Sequence, residues 1–405
     1  MSGKKPDQAM GRREFIAGAA AAAATLTIVG PGSARGAEAN SKLELGLIGP
    51  GGRGNWIGNL FQQNTPTKVV ATADYFKDRV DSAQKQFGLP DDRCFSGALS
   101  AYKKLLDLKL DAVAVETPPC FHPQQAADAV EAGKHVYVAK PIAVDVPGCQ
   151  LLLASGKKAT EKKLCFLVDF QTRANPFYVE TVKRVQAGDI GAVVLVEAHY
   201  HGGRLGHKGS MEGPEGRLRN WHYDIALSGD IIVEQFIHAL DVATWFLGAD
   251  PVKAAGTGGR KARFEGDCYD HFAVTYWFPN GLAVDFSGTQ CIAGHGGIIC
   301  EVYGPNGSAF TNYGGWVGIR AQGDKSYKGG NTGPIYQEGA VANMKTFHAN
   351  IGKANCANET VAPSVRSNLT CILGREAAYR NDLVTFADLL KENKKLDGKL
   401  EGVKA

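Results

Sequence analysis

The chain lacks the features that mark a nucleic-acid binder or a membrane protein. Lys and Arg exceed Asp and Glu by only four across 405 residues, with no run of five or more like charges, so nothing in it forms a footprint for a polyanion. No stretch reaches the roughly 20 strongly apolar residues that a spanning helix needs. The nine cysteines stand singly, without a C-x-x-C, and their number is odd. That pattern indicates neither a zinc ribbon nor a disulfide framework, and most of them are expected to be small buried hydrophobes. The 50 glycines show no G-X-Y period and the chain has no internal repeat, so the glycines mark turns and close backbone approaches. What is present is 44% hydrophobic residues, enough for two packed domains at about 100–200 residues each.

The first forty residues read as an address. Arg12-Arg13-Glu14-Phe15-Ile16 precedes Ala17-Gly18-Ala19 and a weakly apolar, Ala-rich run to Val29, followed by Pro31 and Gly32. This is the twin-arginine export pattern, with cleavage expected near Ala37 or Ala39. It implies a periplasmic or otherwise exported protein, a partner in the twin-arginine machinery, and no membrane span in the mature form. Cargo of that machinery crosses already folded, commonly with a cofactor loaded, so a cofactor enzyme is the natural passenger. Residues 1–40 are therefore set apart from the fold as signal and linker.

Residues 43–48 form a short apolar strand that runs into Gly49-Pro50-Gly51-Gly52-Arg53-Gly54 and then a helical stretch, residues 55–63. A G-x-G-x-x-G between strand and helix is the dinucleotide-binding arrangement. Gly49 permits the tight turn, Gly51 and Gly52 let backbone amides approach a pyrophosphate, and Gly54 allows close helix–strand packing at the positive end of the helix dipole. The next strand, residues 68–73, ends at Asp74, about 20 residues past the motif, where a carboxylate accepts the ribose hydroxyls. This favours NAD over NADP, since a 2′-phosphate would meet a like charge, partly offset by Arg53 or Lys77. Helical stretches at 77–87 and 123–132 alternate with strands at 111–116 and 135–138, which predicts a parallel sheet. Ligands bind beyond the carboxyl ends of such strands, so Thr117 to His122 and Ala139-Lys140-Pro141 border the crevice.

The order of these motifs resembles the glucose-fructose oxidoreductase, inositol dehydrogenase and MocA (Gfo/Idh/MocA) family of sugar-acting nicotinamide enzymes. The resemblance is carried by the glycine motif, Thr117-Pro118 with His122, the run Ala132-Gly133-Lys134-His135-Val136, and Lys140-Pro141. Further on it is carried by Gln171-Thr172-Arg173 with Pro176, Gly188-Asp189-Ile190-Gly191, and Glu234-x-x-x-His238-x-x-Asp241. It spans about residues 43–390. It implies an α/β fold: an N-terminal Rossmann domain at 41–160 and a substrate-binding and oligomerisation domain at 161–355 with a large open, mostly antiparallel sheet. C-terminal helices at 356–405 would return to the Rossmann domain, residues 365–390 being helical in pattern and the Lys-rich end frayed. The resemblance also implies a homodimer or homotetramer, a catalytic set of Lys140, Glu234 and His238, and cofactor contacts from Thr117, His122, Lys140, Gln171 and Arg173. Two positions depart from the family: Ala139 stands where a glutamate is common, and Glu234 where an aspartate is common. Losing a carboxylate beside Lys140 removes a partner for the ammonium.

Read on its own, 230–248 is one helix with Glu234, His238 and Asp241 on a single face. A carboxylate one turn before a histidine orients the imidazole and stabilises its protonated form. The implied reaction is hydride transfer between nicotinamide and a carbinol of a sugar or cyclitol, His238 exchanging the hydroxyl proton and Lys140 holding the same oxygen. Arg173 is alternatively a surface ion-pair partner. Because soluble NAD(H) is scarce outside the cytoplasm, the cofactor is expected to stay bound. The alternative function is a redox-neutral, NAD-dependent glycoside hydrolase, which needs a further base from His201, His222 or Tyr269. A third reading is a nucleotide-binding scaffold without catalysis. Glu197, His199 and His201 alternate on a candidate strand, 193–201, and project from one face. With Glu234 and His238 they would form a zinc site; sugar contacts or an oligomer face are the other uses, so the metal is left open. Trp221, His222 and Tyr269 suit either stacking on a sugar ring or burial in a core.

Overall fold

In a computed structural model, which describes residues 42–405, six strands too apolar to meet water on either face line up as one parallel sheet. They are β1 (Leu43–Ile48), β2 (Thr67–Ala73), β3 (Cys94–Phe95), β4 (Ala112–Val115), β5 (His135–Ala139) and β6 (Phe166–Asp169), in the order β3-β2-β1-β4-β5-β6. The expected export signal lies outside the described residues. Alternation along the strands sends Leu45, Leu47, Val69, Ala114, Tyr137 and Leu167 to one face, against Ile57 and Phe61 of the helix Gly52–Asn64. The other face sends Val113, Val115, Val136, Val138 and Val168 against the helices His122–Glu131 and Val146–Glu161. Because the order reverses between β1 and β4, the carboxyl ends of those strands open a crevice.

Nine strands make the second sheet: β7 (Leu195–His201), β8 (Lys253–Gly259), β9 (His271–Trp277), β10 (Ala283–Thr289), β11 (Gly297–Gly304), β12 (Gly307–Asn312), β13 (Trp316–Ala321), β14 (Tyr327–Asn331) and β15 (Val384–Thr385). Their order is β14-β13-β12-β11-β7-β10-β9-β8-β15, antiparallel throughout except for the parallel pair β7 and β10. Val196 and Ala198 face the helix-covered side and are buried, whereas Glu197 is exposed on the outer face, in register with Asp285 and Glu301.

Three expectations are corrected by packing. The first sheet runs on to Asp169, past the expected domain boundary at 160, and the helix Ile335–Gly352 joins the helix Gly52–Asn64 on the same sheet face, burying Ala340, Met344 and Phe347 there. The helix Val361–Arg380 lies against both parts of the molecule: Asn368 accepts from Ile142 N at 3.2 Å and donates to Ala143 O at 3.0 Å, while Ser367 donates to Asp241 at 2.6 Å. It stops at Asn381, which takes a left-handed conformation (φ +51°), so 365–390 is a helix, a strand and a second short helix rather than one helix. The tail is docked, not frayed: Arg217 donates to Gly398 O and Lys399 O, Leu99 N donates to Lys404 O, and Val403 packs with Phe76 and Leu218.

The predicted helix 230–248 is broken into a turn, Ile231–Glu234, and a helix, Ile237–Leu247. Phe236 causes the break. Its ring is wedged under the sheet against Tyr200 and Phe286, with centroids 5.2 and 5.6 Å away, and the chain turns to admit it. Buried Asp230, at φ +74°, starts the turn by accepting from Ile231 N and from Tyr379 Oη, both at 2.5 Å.

Candidate active site

The crevice at the β1–β4 switch has a volume of about 430 Å³ and is bordered by the glycine loop, Asp74, Thr117, Lys140, Glu234 and His238. The loop is shaped to receive a phosphate group. Gly49 sits at φ +86°, and a Cβ there would lie 2.7 Å from Thr117 N; a Cβ on Gly54 would lie 2.1 Å from Gly49 O. At Gly51 and Gly52 a Cβ would meet nothing within 4 Å, so this side of the loop is open. Gly51 caps the helix Gly52–Asn64 without any side-chain cap, leaving first-turn amides for an anion. Asp74, at the end of β2, accepts from Phe76 N at 2.9 Å, and Arg79 stands 3.6 Å away. Burial raises its carboxyl above the usual range against the pull of Arg79. These donors and acceptors fit a dinucleotide with its pyrophosphate on the glycines and its ribose at Asp74.

Lys140 follows β5 and its Nζ donates to the backbone carbonyl of Glu234 at 2.6 Å, with the Glu234 carboxylate 3.8 Å away. Burial lowers the Lys140 ammonium pKa, and Arg53 adds to that, while Glu234 opposes it. His238 is held well below the ordinary imidazole value, first by burial and then by the positive charges of Lys140 and Arg53. It is therefore neutral at neutral pH and able to accept a proton. Its ring packs against Tyr313 with centroids 5.1 Å apart, and its Nδ1 is buried without a partner, as is Glu234 Oε2. Orphaned polar atoms in a crevice are places for a ligand's hydroxyls.

Several predicted site residues do other work. Glu234 does not orient His238; the broken helix turns its carboxylate to Lys140 instead. Arg53 points away from Asp74: Nε donates to Glu116 at 3.0 Å and Nη2 to Asp169 at 2.5 Å, with its guanidinium near the Trp56 and Tyr336 rings. His122 borders the crevice, but both ring nitrogens are engaged by Thr117 O and Pro141 O, at 2.6 and 2.8 Å. It thus ties the two strand-end loops together. Thr117 faces the crevice, its hydroxyl donating to Gln125 at 2.6 Å. Gln171 is buried away from the crevice and donates to Asp169 at 3.0 Å. Arg173 is drawn into a bidentate pair with buried Asp241, at 2.9–3.1 Å, and neither it nor Gln171 borders the crevice.

His199 and His201 stack on each other with centroids 4.8 Å apart. They alternate with Tyr200, which borders the crevice, so they lie on the sheet's outer face, across from Glu234 and His238. The proposed zinc set is not assembled, and no group of three His, Cys, Asp or Glu placed to hold a metal occurs among the described residues. Trp221 and His222 border the crevice, whereas Tyr269 is stacked on Tyr379 at 3.9 Å. Burial, reinforced by Arg263, pushes His222 down to about 4.

Sequence reasoning missed Glu116, Arg79, Arg219 and Tyr313. Glu116 follows β4 beside Ala139, since Val115 pairs with Val138. Its carboxyl is fully buried and burial pushes it up to about 7, against the pull of Arg53. Its place at a strand's carboxyl end was the available signal. Arg219 and Tyr313 come from distant segments and carry none.

Residues 43–170 match the family model described as an oxidoreductase family with an NAD-binding Rossmann fold, and residues 178–310 match the GFO/IDH/MocA C-terminal domain. The chain is 27% identical to a scyllo-inositol 2-dehydrogenase (NAD(+)) of Bacillus subtilis over 255 residues, 62% of this chain and 68% of that one. It is 25% identical to an inositol 2-dehydrogenase of Rhizobium meliloti over 352 residues, 84% and 96% of the two chains. With a glycosyl hydrolase family 109 protein of Bacteroides fragilis it shares 32% identity over 162 residues, 39% of this chain and 34% of that one. The fold matches that of a levoglucosan dehydrogenase in complex with NADH and L-sorbose, with a TM-score of 0.70 at 18% identity, covering 85% and 99% of the chains.

Proposed function

The chain belongs to the GFO/IDH/MocA oxidoreductase family and carries its NAD-binding Rossmann domain, and from that premise we propose that it acts on a carbinol of a sugar, sugar derivative or cyclitol with a nicotinamide that stays bound. The observation that carries this reading is a half-buried Lys140 and a neutral His238 with a free Nδ1, both in the crevice that begins at the glycine cradle. When bound, NAD supplies the acceptor and donor of the hydride. Gly51, Gly52 and the following helix N-terminus hold the pyrophosphate, and Asp74 holds the ribose. Lys140 donates to the carbinol oxygen and stabilises the negative charge that develops there. His238 takes the hydroxyl proton at Nδ1 and returns it in the reverse direction. Glu234 anchors Lys140, and its free Oε2 accepts from a second hydroxyl of the substrate.

Retention of the cofactor is supported by the segment that crosses the adenosine end of the crevice. Tyr75 donates to Glu215 at 2.5 Å, and Arg219 pairs with Asp78 at 2.9 and 3.0 Å while stacking on Phe76 at 4.0 Å. The docked tail holds the same segment through Arg217 and Leu218. The same reading has the enzyme exported by the twin-arginine machinery, on the Arg12-Arg13 motif, and self-associated through the uncovered face of the nine-stranded sheet.

The test is to purify the protein without added nucleotide, denature it, and identify and count what it releases. Near-stoichiometric NAD(H) is expected; folded protein without nucleotide would remove the captive cofactor. The position of His222 at the crevice and the family 109 relative favour a second reading, redox-neutral cleavage of a glycoside with His222 as the base for the C–H proton. Release of free sugar from a glycoside without net change in NADH absorbance distinguishes it.

A further inference from the structure

Cys165 and Cys356 stand 191 residues apart in the chain, and their sulfurs lie 3.4 Å from each other. No other two sulfurs are in hydrogen-bond contact among the described residues. Cys165 immediately precedes β6, the edge strand of the parallel sheet. Cys356 lies in the connection between the helices Ile335–Gly352 and Val361–Arg380. That connection covers the open edge of β6 with side chains: Phe166 N donates to Asn358 Oδ1 at 2.6 Å, Val168 N donates to Thr360 Oγ1 at 3.0 Å, and Asn358 Nδ2 donates to Leu164 O at 3.0 Å. An edge strand's unpaired backbone groups are a liability that a covering segment removes.

We propose that Cys165 and Cys356 are a disulfide site, closed by thiol–disulfide exchange when the folded protein meets an oxidised small disulfide or a dithiol oxidase, and that the bond locks this cover onto the sheet edge. A bond needs sulfurs at about 2.05 Å, and Cys356 is on a segment without regular structure that can move the remaining distance. Cys356 is partly exposed, whereas burial pushes the Cys165 thiol up to about 12, so Cys356 attacks first. It bonds to one sulfur of the small disulfide and releases one thiol. Cys165 then attacks the Cys356 sulfur of that mixed disulfide and releases the second. The two cysteines lose two electrons and two protons, and the small disulfide becomes two thiols. The bond would close a loop of about 190 residues, long enough to restrict the unfolded chain strongly. The proposal stands on this contact alone and is independent of the sugar chemistry.

The experiment treats the purified protein with oxidised glutathione or with a reductant, blocks remaining thiols under denaturing conditions with N-ethylmaleimide, and weighs it. Of nine cysteines, oxidised protein is expected to leave two unlabelled, with one linked peptide pair containing positions 165 and 356. Tm should rise on the order of 5 °C relative to reduced protein. Cys356→Ser, at a partly exposed position, should fold normally, keep every remaining thiol labelled and lose the rise in Tm. Nine labelled thiols after oxidation, a glutathione adduct that never resolves, or a link between other cysteines would overturn the proposal.

Discussion

Lys140 reaches across the crevice to Glu234, its Nζ donating to the Glu234 carbonyl at 2.6 Å with the carboxylate 3.8 Å away. The counter-charge to Lys140, which follows Ala139 at the end of β5, thus comes from the second domain. Only the 3.8 Å contact comes from the Glu234 side chain; the 2.6 Å hydrogen bond is made to its backbone carbonyl.

Replacing the ammonium tests its part in the reaction directly. Lys140→Met is expected to lower turnover about 10²–10³-fold, the scale of losing one oxyanion-type donor. The amount of nucleotide released on denaturation should stay unchanged. Unchanged turnover would take Lys140 out of the chemistry.

Glu234→Gln keeps the carbonyl acceptor but removes the negative charge that raises the Lys140 pKa against burial. The lysine should lose its proton at lower pH, and the basic limb of the kcat/KM profile should move to lower pH by about half a unit or more. A basic limb that stays in place would separate Glu234 from Lys140.

At the adenosine end, Asp74 shares the crevice with Arg79 and Arg219. Asp74→Ala removes the like charge facing a 2′-phosphate and leaves both cations in place, so the NADP-to-NAD ratio of kcat/KM should rise by about tenfold or more. An unchanged ratio would mean that this strand end does not read the ribose.

Arg53 neutralises two fully buried carboxylates, Glu116 and Asp169. Arg53→Leu is expected to destabilise the protein by about 3–5 kcal/mol, because each acid is left without its cation. Adding Glu116→Gln in the same background should recover part of the loss. Denaturant midpoints of the single and double variants measure both effects.

His222 and His238 titrate below the ordinary histidine value in the folded protein, His222 at about 4. Between pH 6.5 and 4 these two histidines therefore bind more protons in the unfolded chain than in the folded one, and their contribution to stability should fall as pH is lowered through that window. Buried Glu116, at about 7, and Asp230, at about 6, contribute in the opposite sense. A tenfold loss of proton affinity on folding corresponds to about 1.4 kcal/mol, so His222 contributes up to a few kcal/mol, reduced by the water that reaches its partly exposed edge. His222→Asn should flatten the decline in Tm from pH 7 to pH 4. A variant as acid-sensitive as the parent would show that His222 is not what titrates.

The local sequence was enough for the strand–glycine–helix opening, the parallel alternation that follows, Asp74 at its strand end and Lys140 at the crevice, because each depends on residues within one or two elements. A period of two or 3.6 residues, a glycine needed at positive φ, and the rule that parallel sheets bind at their carboxyl ends require no distant partner. The sequence was equally enough to show that His199 and His201 share a strand face. Only the tertiary structure decided which face it is, and it turned both away from His238. Packing also decided that Phe236 breaks the helix carrying Glu234, that Arg53 serves two buried acids, that Arg173 is taken by Asp241, and that Cys165 meets Cys356. In each case the deciding partner is on another element, and desolvation makes a buried charge or ring take whatever partner the folded chain brings within a few ångströms.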